Sequence, residues 1–569
     1  MFTSPALFDR IAPEIVRNYL IVEHDDMEVS KHSLPQITPE VLDKLTRDEL
    51  LPLSIKLLKD LKELHDRINQ TPQNSSRSSS SMPAWEKNDD SDKSKDETVD
   101  AADVKPELGQ SINEKNDDAE ILSQQNSIQS SLKPLFSKNN STDKPPQKKP
   151  GKQIGAPGYG RSWDPTVTEA VVHCFVENCA VCNQCLKVAN KQCYTQYKQV
   201  DIQFGDGLNP GLTVIVTPYL LYDTPCLHCG HHNRYDPKSN MAMENSVWEK
   251  TQLSEWRWIG PHLAAFIVHL KMEFRLPIRK IKDLLNYFGV SLSTGVIAQC
   301  YEESGLAAAP LEKEIVDGLL KEALVHADET IWLEKSKMLW LWIFSATSVV
   351  YFCVGKRTKE QLQHVLQKSF SGWLMTDGYG AYRHYAKRLR CWAHLLRKAQ
   401  GLAESTDAVA MAYGHLALNV LKTCMNELYQ WREEMHPKEK TDVLKNKLIR
   451  SLDEFKEICK KYGGDTIFHE KTKALAREFL NDWDAIFRIL EYPYLPLTNN
   501  EAEHGLRPWV LLREICFGSK SAKGTKTFTL LASVIGTCKK RSVNSIQFLS
   551  DTILAARKGQ PIQMIPGIL

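Results

Sequence analysis

Three acidic residues, each set in its own short signature, are the positions of this chain best suited to chemistry. They are Asp328 in His326-Ala327-Asp328-Glu329-Thr330, Asp377 in Thr376-Asp377-Gly378-Tyr379-Gly380, and Glu503 in Asn499-Asn500-Glu501-Ala502-Glu503-His504. Taken singly, an Asp at a strand end more often forms a turn or caps a helix. Jointly, two acids ending apolar strands and a third on a distal helix suit a pair of divalent cations, because gathered carboxylates repel one another unless a cation neutralises them. Two such ions, roughly 4 Å apart, clamp the attacking and the leaving oxygen of an in-line phosphodiester displacement. Mg2+, or Mn2+ in its place, prefers oxygen ligands and keeps waters for a substrate phosphate.

The third acid requires a choice between Glu501 and Glu503, which point to different faces of a helix. Glu503 shares a stripe with Leu506 and Val510, so it is assigned to the sheet-facing side, with Glu501 as the fallback. Arg507, one turn further on, is placed either to hold Glu503 or to meet a DNA backbone. Asn499 and Asn500 either cap this helix or approach the scissile phosphate.

Cysteines carry a second chemistry. Cys226-Leu227-His228-Cys229-Gly230 is a zinc knuckle: thiolates at this spacing supply half of a tetrahedral site, and the small Gly230 permits the tight turn. The upstream half is either Cys179/Cys182 or Cys182/Cys185. The first is preferred, because Asn183 then takes the turn position that Gly230 takes downstream. Unmetallated buried thiols are the plainer alternative.

The elements that must position these groups follow from periodicity. Leu324–Asp328, Met338–Ser345, Val349–Gly355 and Gly372–Thr376 have strand character, and Lys359–Gln367 that of a helix. Two strands ending in Asp, with a hairpin, a third strand and a helix between them, describe an α/β ribonuclease H-like core. His394 to about Leu490 is charged and helical, an insertion before the last acidic helix. Residues from about 253 to 324 are expected to be all-helical. Within them, helices at Leu276–Phe288 and from Ser291 onward flank Gly289 at the spacing of a helix-turn-helix, a pattern that ordinary helical hairpins share.

The chain has 569 residues, 42% hydrophobic and 25% charged, enough for several domains of an ordinary soluble protein. The net charge of +2 hides an uneven distribution. Between Arg507 and Lys558, basic residues including Arg513, Lys520, Lys523, Lys539, Lys540 and Arg541 far outnumber Glu514 and Asp551, as a surface for nucleic-acid phosphates would require. Charges at Asp9, Arg10 and Glu14 interrupt the first apolar stretch, so no secretory signal is expected. The run Met338–Val354 is shorter than the roughly 20 residues that span a bilayer. Fourteen cysteines, several in pairs, then favour metal binding in a reducing cytosol over disulfides. Near the N-terminus, Thr46-x-x-Glu49 forms a capping box before a helix bearing Leu57, Leu61, Leu64 and Ile68. From about Thr71 to Lys152, small polar residues and mixed charges predict a disordered linker that cannot bury enough apolar area to fold.

These signatures, with Cys391-Trp392-Ala393-His394-Leu395-Leu396-Arg397-Lys398 and Phe517-Gly518-Ser519, resemble those of transposases of the insertion-sequence-66 family. The resemblance implies Asp328, Asp377 and Glu503 as a catalytic Asp-Asp-Glu triad, a zinc-binding segment at the cysteines and a helical insertion after Cys391-Trp392-Ala393-His394. It implies strand transfer in two displacements, cleavage at the element's ends and attack of the freed 3′-hydroxyl on target DNA, with two Mg2+ (or Mn2+) ions and structural Zn2+. The implied partners are double-stranded DNA, further copies of the chain on that DNA and possible accessory element-encoded proteins, in a bacterial cytoplasmic, nucleoid-associated setting with no membrane. His504 stands where the family more often has Arg, and Asn183 where Gly is usual.

The expected organisation is an N-terminal helical region (1–70), the linker (71–160), the zinc-binding segment (161–245), a helical region with a possible helix-turn-helix (246–323), the core's first part (324–393), the insertion (394–495) and its last part with the basic C-terminus (496–569). Rival functions are a ribonuclease H-like nuclease that cuts without joining, a catalytically silent DNA-binding descendant and a zinc scaffold for protein partners.

Overall fold

The computed structural model describes residues 163–567, apart from 188–189, 207, 242–245, 250, 336, 368, 435, 466 and 468, together with Thr46, Leu50, Leu51, Ser54, Ile55 and Leu61. The expected linker lies outside the described residues, as does the N-terminal helix except for Leu50, Leu51, Ser54, Ile55 and Leu61, which are helical.

In chain order, strands β1 (Val172–Cys174), β2 (Gln192–Phe204), β3 (Leu212–Pro225), β4 (His232–Arg234), β5 (Ser239–Met241) and β6 (Gln252–Ser254) come first. Helices α1 (Pro261–Met272), α2 (Ile278–Tyr287), α3 (Thr294–Ala308) and α4 (Leu311–Leu319) follow. Next are β7 (Leu324–Glu334), β8 (Lys337–Ser345), β9 (Val350–Gly355), α5 (Lys359–Leu366), β10 (Trp373–Thr376) and β11 (Arg388–Arg390). The chain continues through α6 (Trp392–Ala403), α7 (Ala408–Glu433), α8 (Val443–Tyr462), α9 (Glu470–Asn481), α10 (Trp483–Phe487), α11 (Asn500–Cys516), α12 (Ala522–Lys540) and α13 (Ser545–Arg557).

The chain divides into two compact units. One holds the described residues of 81–315, 333–337 and 512–569. Its sheet is built on β3, which pairs antiparallel with β2 and β4 and parallel with β1. The expectation of unbroken helix from 253 to 324 is corrected at its start: β6 pairs with β5, and the first helix begins only at Pro261, whose missing N–H costs nothing at a helix start. Leu263, Ala264, Ala265, Ile267 and Val268 are all fully buried, so α1 is a core helix. Gly289 makes its turn at φ +75°, and Ser293 caps α3 by accepting from the Val296 N–H at 3.2 Å. That cap moves the helix start from the expected Ser291 to Thr294. The expected last core segment is divided: residues 512–569 group with this unit, where α12 buries Phe528, Leu531, Val534 and Ile535.

The second unit holds the described residues of 1–80, 316–332 and 338–511. It contains a five-stranded sheet in the order β11-β10-β7-β8-β9, mixed in sense: β10 runs parallel to β7 and to β11, while β8 and β9 are antiparallel. The expected β8, β9, α5 and β10 appear within a residue or so of their predicted ends. Two differences stand out. Asp328 does not end its strand; the β-branched and aromatic residues Thr330, Ile331 and Trp332 carry β7 on to Glu334. Strand β11 was not expected, because Arg388 and Arg390 make it look like a loop. Both arginines are buried and ion-paired, with Glu478 of α9 and Asp482 of the turn after it.

Helices α6 to α10 occupy the stretch expected to be helical. Their core, with Tyr413, Leu421, Phe455, Phe479 and Ile486, is continuous with Met375 of β10 and Leu389 of β11. Gly414 is required there: a Cβ would lie 2.2 Å from the Ala403 backbone nitrogen. Helix α11 lies on the sheet through Ala502, Leu506 and Trp509, with the Trp509 ring edge-on to Phe352 at 5.6 Å.

Candidate active site and cysteine cluster

Strand register brings the two aspartates side by side. The last residue pair of the parallel β10–β7 ladder is Met375 with His326, and two residues beyond it lie Asp377, just past the end of β10, and Asp328 on β7. Helix α11 is fastened to the same place. The buried Asn499 donates from Nδ2 to the Ala327 carbonyl at 2.9 Å, and its Oδ1 lies 3.2 Å from His326 Nδ1. The Glu503 N–H bonds back to the Asn499 carbonyl at 3.1 Å, so Glu503 sits one helical turn from that anchor. The electrostatics agree: burial raises the Asp328 carboxyl well above the ordinary range, and Asp377, Glu329 and Glu503 add to the rise. This mutual repulsion is what a cation would relieve.

The chain's assignment of the two glutamates follows the helix faces. Glu501 is exposed and accepts from Ser345 Oγ at 3.0 Å. Glu503 faces α6, with Oε1 3.6 Å from His394 Nδ1 and 3.9 Å from Arg397 Nη2. Arg507 is exposed, so the side chains that Glu503 meets are His394 and Arg397. Among the described residues, Glu503 Oε1 and His394 Nδ1 are buried without a hydrogen-bond partner, leaving acceptor capacity on both. Burial and then the charges of Arg397, Arg390 and Lys398 push His394 down to about 3, so its ring is neutral. Cys391, His394 and Glu503 offer ligand atoms within 4.8 Å of one another.

Glu329 was quoted in the signature but given no role. Its side chain is buried, accepts from Arg357 Nε at 2.9 Å and from the Tyr382 hydroxyl, and is pushed up to about 7 by burial and then by Asp377. The Arg357 guanidinium stacks on Trp340 and Tyr379, at 4.4 and 4.0 Å from the ring centres. The Tyr379 N–H in turn donates to Asp377 Oδ1 at 2.9 Å. No local signal marks this assembly; its members come from four separate segments.

The basic residues at 507–541 have mixed surroundings. Lys523 pairs with Glu302 at 2.5 Å, Lys539 with Glu273, and Arg541 with Glu314 at 3.1 Å. Lys520 is exposed, and Arg513 and Lys540 are half-buried.

In the other unit, Cys179, Cys182, Cys226 and Cys229 have sulfurs all within 4.8 Å of one another. Two knuckles with the same backbone build this cluster. The Cys179 N–H donates to the Gln184 carbonyl and the Cys226 N–H to the His231 carbonyl, each at 2.8 Å. The Asn183 and Gly230 N–H groups return to Cys179 and Cys226. Asn183 (φ +57°) and Gly230 (φ +73°) share the left-handed turn conformation that their equivalence required. Cys185 is exposed and outside the cluster. Sulfurs bound to zinc at about 2.3 Å would stand about 3.8 Å apart, and the Cys179–Cys229 and Cys182–Cys226 pairs stand at 3.5 Å. Backbone N–H groups, foremost that of Cys182, draw Cys179 down to about 6 and that of Cys229 lowers Cys226, while burial and the neighbouring sulfurs raise Cys182 and push Cys229 up to about 12. A four-cysteine metal site is therefore possible here.

No helix among the described residues is long and apolar enough to cross a membrane. Compared with known proteins, residues 257–527 match the model of the family described as Transposase IS66 family. Similar curated proteins are Uncharacterized protein y4qI of Sinorhizobium fredii (strain NBRC 101917 / NGR234), 25% identical over 339 residues (54% of this chain, 61% of the relative). Uncharacterized protein y4jD of the same strain is 22% identical over 321 residues (51% of this chain, 61% of the relative). The matched stretch thus spans 61% of the length of these relatives. This match over residues 257–527 supports an IS66-family transposase.

Proposed function

We propose that the chain is a DNA transposase of the Asp-Asp-Glu type, cutting phosphodiesters at the ends of a mobile element and joining the freed 3′ ends to target DNA. The observation that carries this reading is the approach of Asp328, Asp377 and Glu503, through the β7–β10 register and the Asn499 anchor. The strand order β11-β10-β7-β8-β9, with its antiparallel β8–β9 pair and parallel β10 and β11, supports a ribonuclease H-like core.

Asp328, Asp377 and Glu503 would hold two Mg2+ or Mn2+ ions. When bound, such ions supply activation of the attacking hydroxyl and neutralisation of charge on the phosphate. The protein's own part is positional. Asn499 sets the height of α11 on β7, and the neutral His394 with Arg397 confines the Glu503 carboxylate. Tyr379 orients Asp377 through its backbone N–H, while Arg357 and Tyr382 keep the buried Glu329 from adding free charge beside Asp328. No protein nucleophile is needed. Cys179, Cys182, Cys226 and Cys229 would hold a structural Zn2+, and their segment or the α2–α3 hairpin would read the element's ends. Arg507, Arg513, Lys520, Lys523, Lys539, Lys540 and Arg541 would be the contacts to DNA phosphates, with Lys523, Lys539 and Arg541 engaging as their ion pairs open.

The test is a joining reaction with purified protein, Mg2+, duplexes carrying the element's ends and a target plasmid. Joined products are expected, and Asp377→Ala should abolish them while leaving end binding intact. Cut but unjoined ends, from substrates already cleaved as well as intact ones, would establish a nuclease instead.

A further inference from the structure

Beside the proposed metal site, four cations share two carboxylates. Arg383, Arg388 and Arg390 all pair with Asp482, at 3.0, 2.7 and 3.1 Å. Arg390 also meets Glu478, which Lys398 reaches at 2.7 Å. Four positive against two negative groups leave a surplus of two charges. The guanidinium of Arg390 is fully buried and that of Arg388 nearly so, and Nη1 of each is buried without a hydrogen-bond partner. Buried charge left uncompensated is costly, so such a cluster favours an anion within reach.

A place for that anion adjoins the cluster. A cavity of about 350 Å³, the lower end of the range for small-ligand sites, opens between the end of β10 and helices α6 and α9. Asp377 stands on one side of it, with Arg383, Lys398, Arg477, Glu478 and Asn481 among the other lining residues. The cluster reaches the backbone next to Asp377 itself. A Cβ on Gly378 would lie 2.7 Å from both Arg390 Nη2 and Glu478 Oε1, so only glycine lets them approach so closely. Lys398, Arg383 and Arg477 are partly exposed, at 36%, 42% and 50%, and present cationic groups to an incoming ligand, Arg477 while paired at 2.8 Å with the exposed Asp465.

We propose that this cavity binds a backbone phosphate of the DNA strand, the one adjoining the phosphodiester held at Asp328, Asp377 and Glu503. The inference rests on the transposase reading and adds a subsite to it. The parent site's own acids do not cancel the surplus, since they are the groups assigned to the cations. Lys398 and Arg477 supply charge and donors at the mouth; the buried Arg388 and Arg390 hold the potential positive behind them. A phosphate fits better than a stacked base, because among the described residues the one ring lining the cavity, His394, has Nδ1 turned to Glu503, and the rest of the lining is polar, charged or small.

The experiment scans single methylphosphonate linkages, which remove one phosphate charge each, across the positions flanking the cut in end-bearing duplexes. With unaltered protein, one neutral linkage next to the cut should slow cleavage about tenfold or more. Lys398→Met and Arg477→Ala should slow cleavage of unmodified DNA comparably and lose little more on the neutral linkage, whereas the exposed Arg450→Ala should respond to that linkage as the unaltered protein does. Such non-additivity does not arise from damaged folding. Losses that simply multiply, or a scan with no sensitive linkage in protein that cuts normally, would overturn the subsite alone. Unaltered protein that never cuts would overturn the parent reading and the subsite with it.

Discussion

The side-chain amide of Asn499 donates to the main-chain carbonyl of Ala327 at 2.9 Å, tying the start of the last acidic helix to the residue before Asp328. Both groups are buried, so removing the donor leaves a carbonyl unsatisfied, at a cost of about 1–3 kcal/mol. Asn499→Ala should lower the unfolding temperature and reduce joining by more than its loss of folded protein explains. Chemical denaturation beside joining assays separates the two; unchanged specific activity would show that the tie does not position Glu503.

The 3.6 Å approach of His394 Nδ1 to Glu503 Oε1 predicts a positional role for a neutral imidazole. His394→Ala should cut the joining rate by about tenfold to a hundredfold, the scale of a small misplacement of a reacting group, with end-binding affinity preserved. Gel-shift and single-turnover measurements on the same preparations would decide it.

Proton linkage gives a pH signature. Glu329 is raised to about 7 and Asp328 is raised as well, so in metal-free protein the folded state holds these protons more tightly than the unfolded chain. Stability from Glu329 is greatest below the ordinary carboxylate range and is lost as pH rises through about 7, and Asp328 adds a loss of the same sign. Cations should offset the loss: Mn2+ is expected to raise the unfolding temperature more at pH about 8 than at about 5, and to do so little in Asp328→Asn. Calorimetric scans at both values check the sign.

Among the cysteines, Cys226→Ser should release bound zinc and destabilise its unit, whereas the exposed Cys185→Ser should leave both metal content and stability unchanged. Elemental analysis of purified protein, expected at about one zinc per chain, reads this directly. Equal effects of the two substitutions would undo the ligand assignment.

Gly414→Ala tests the packing of α7 on α6. The new methyl would meet backbone at 2.2 Å, which cannot yield as a side chain could, so a loss of about 1–3 kcal/mol is expected. Denaturant midpoints measure it, and joining should fall as α6 carries His394 and Lys398 out of place.

Much of this was legible from residue order, for a local reason. Strand and helix periods are short, so β8, β9, β10 and α5 could be read within a residue or so. The knuckles were equally local: a turn residue one place after each second cysteine separated Cys179/Cys182 from Cys182/Cys185. The stripe of Glu503, Leu506 and Val510 predicted a sheet-facing Glu503, whereas the helix packs on the sheet through Ala502, Leu506 and Trp509 and Glu503 turns to α6.

What only the tertiary structure decided depends on partners far along the chain. Strand β11 exists because Asp482, 94 residues beyond Arg388, pairs with its arginines, and no local propensity announces that. Asp328 lies within its strand because β7 continues as an edge-to-edge partner of β8, and Glu329 became a buried hub through Arg357 and Tyr382. The side chains that meet Glu503 were settled likewise, as His394 and Arg397 on α6 and not Arg507 one turn away. Periodicity tells which face of an element is buried; which charges meet there is fixed by how distant segments pack.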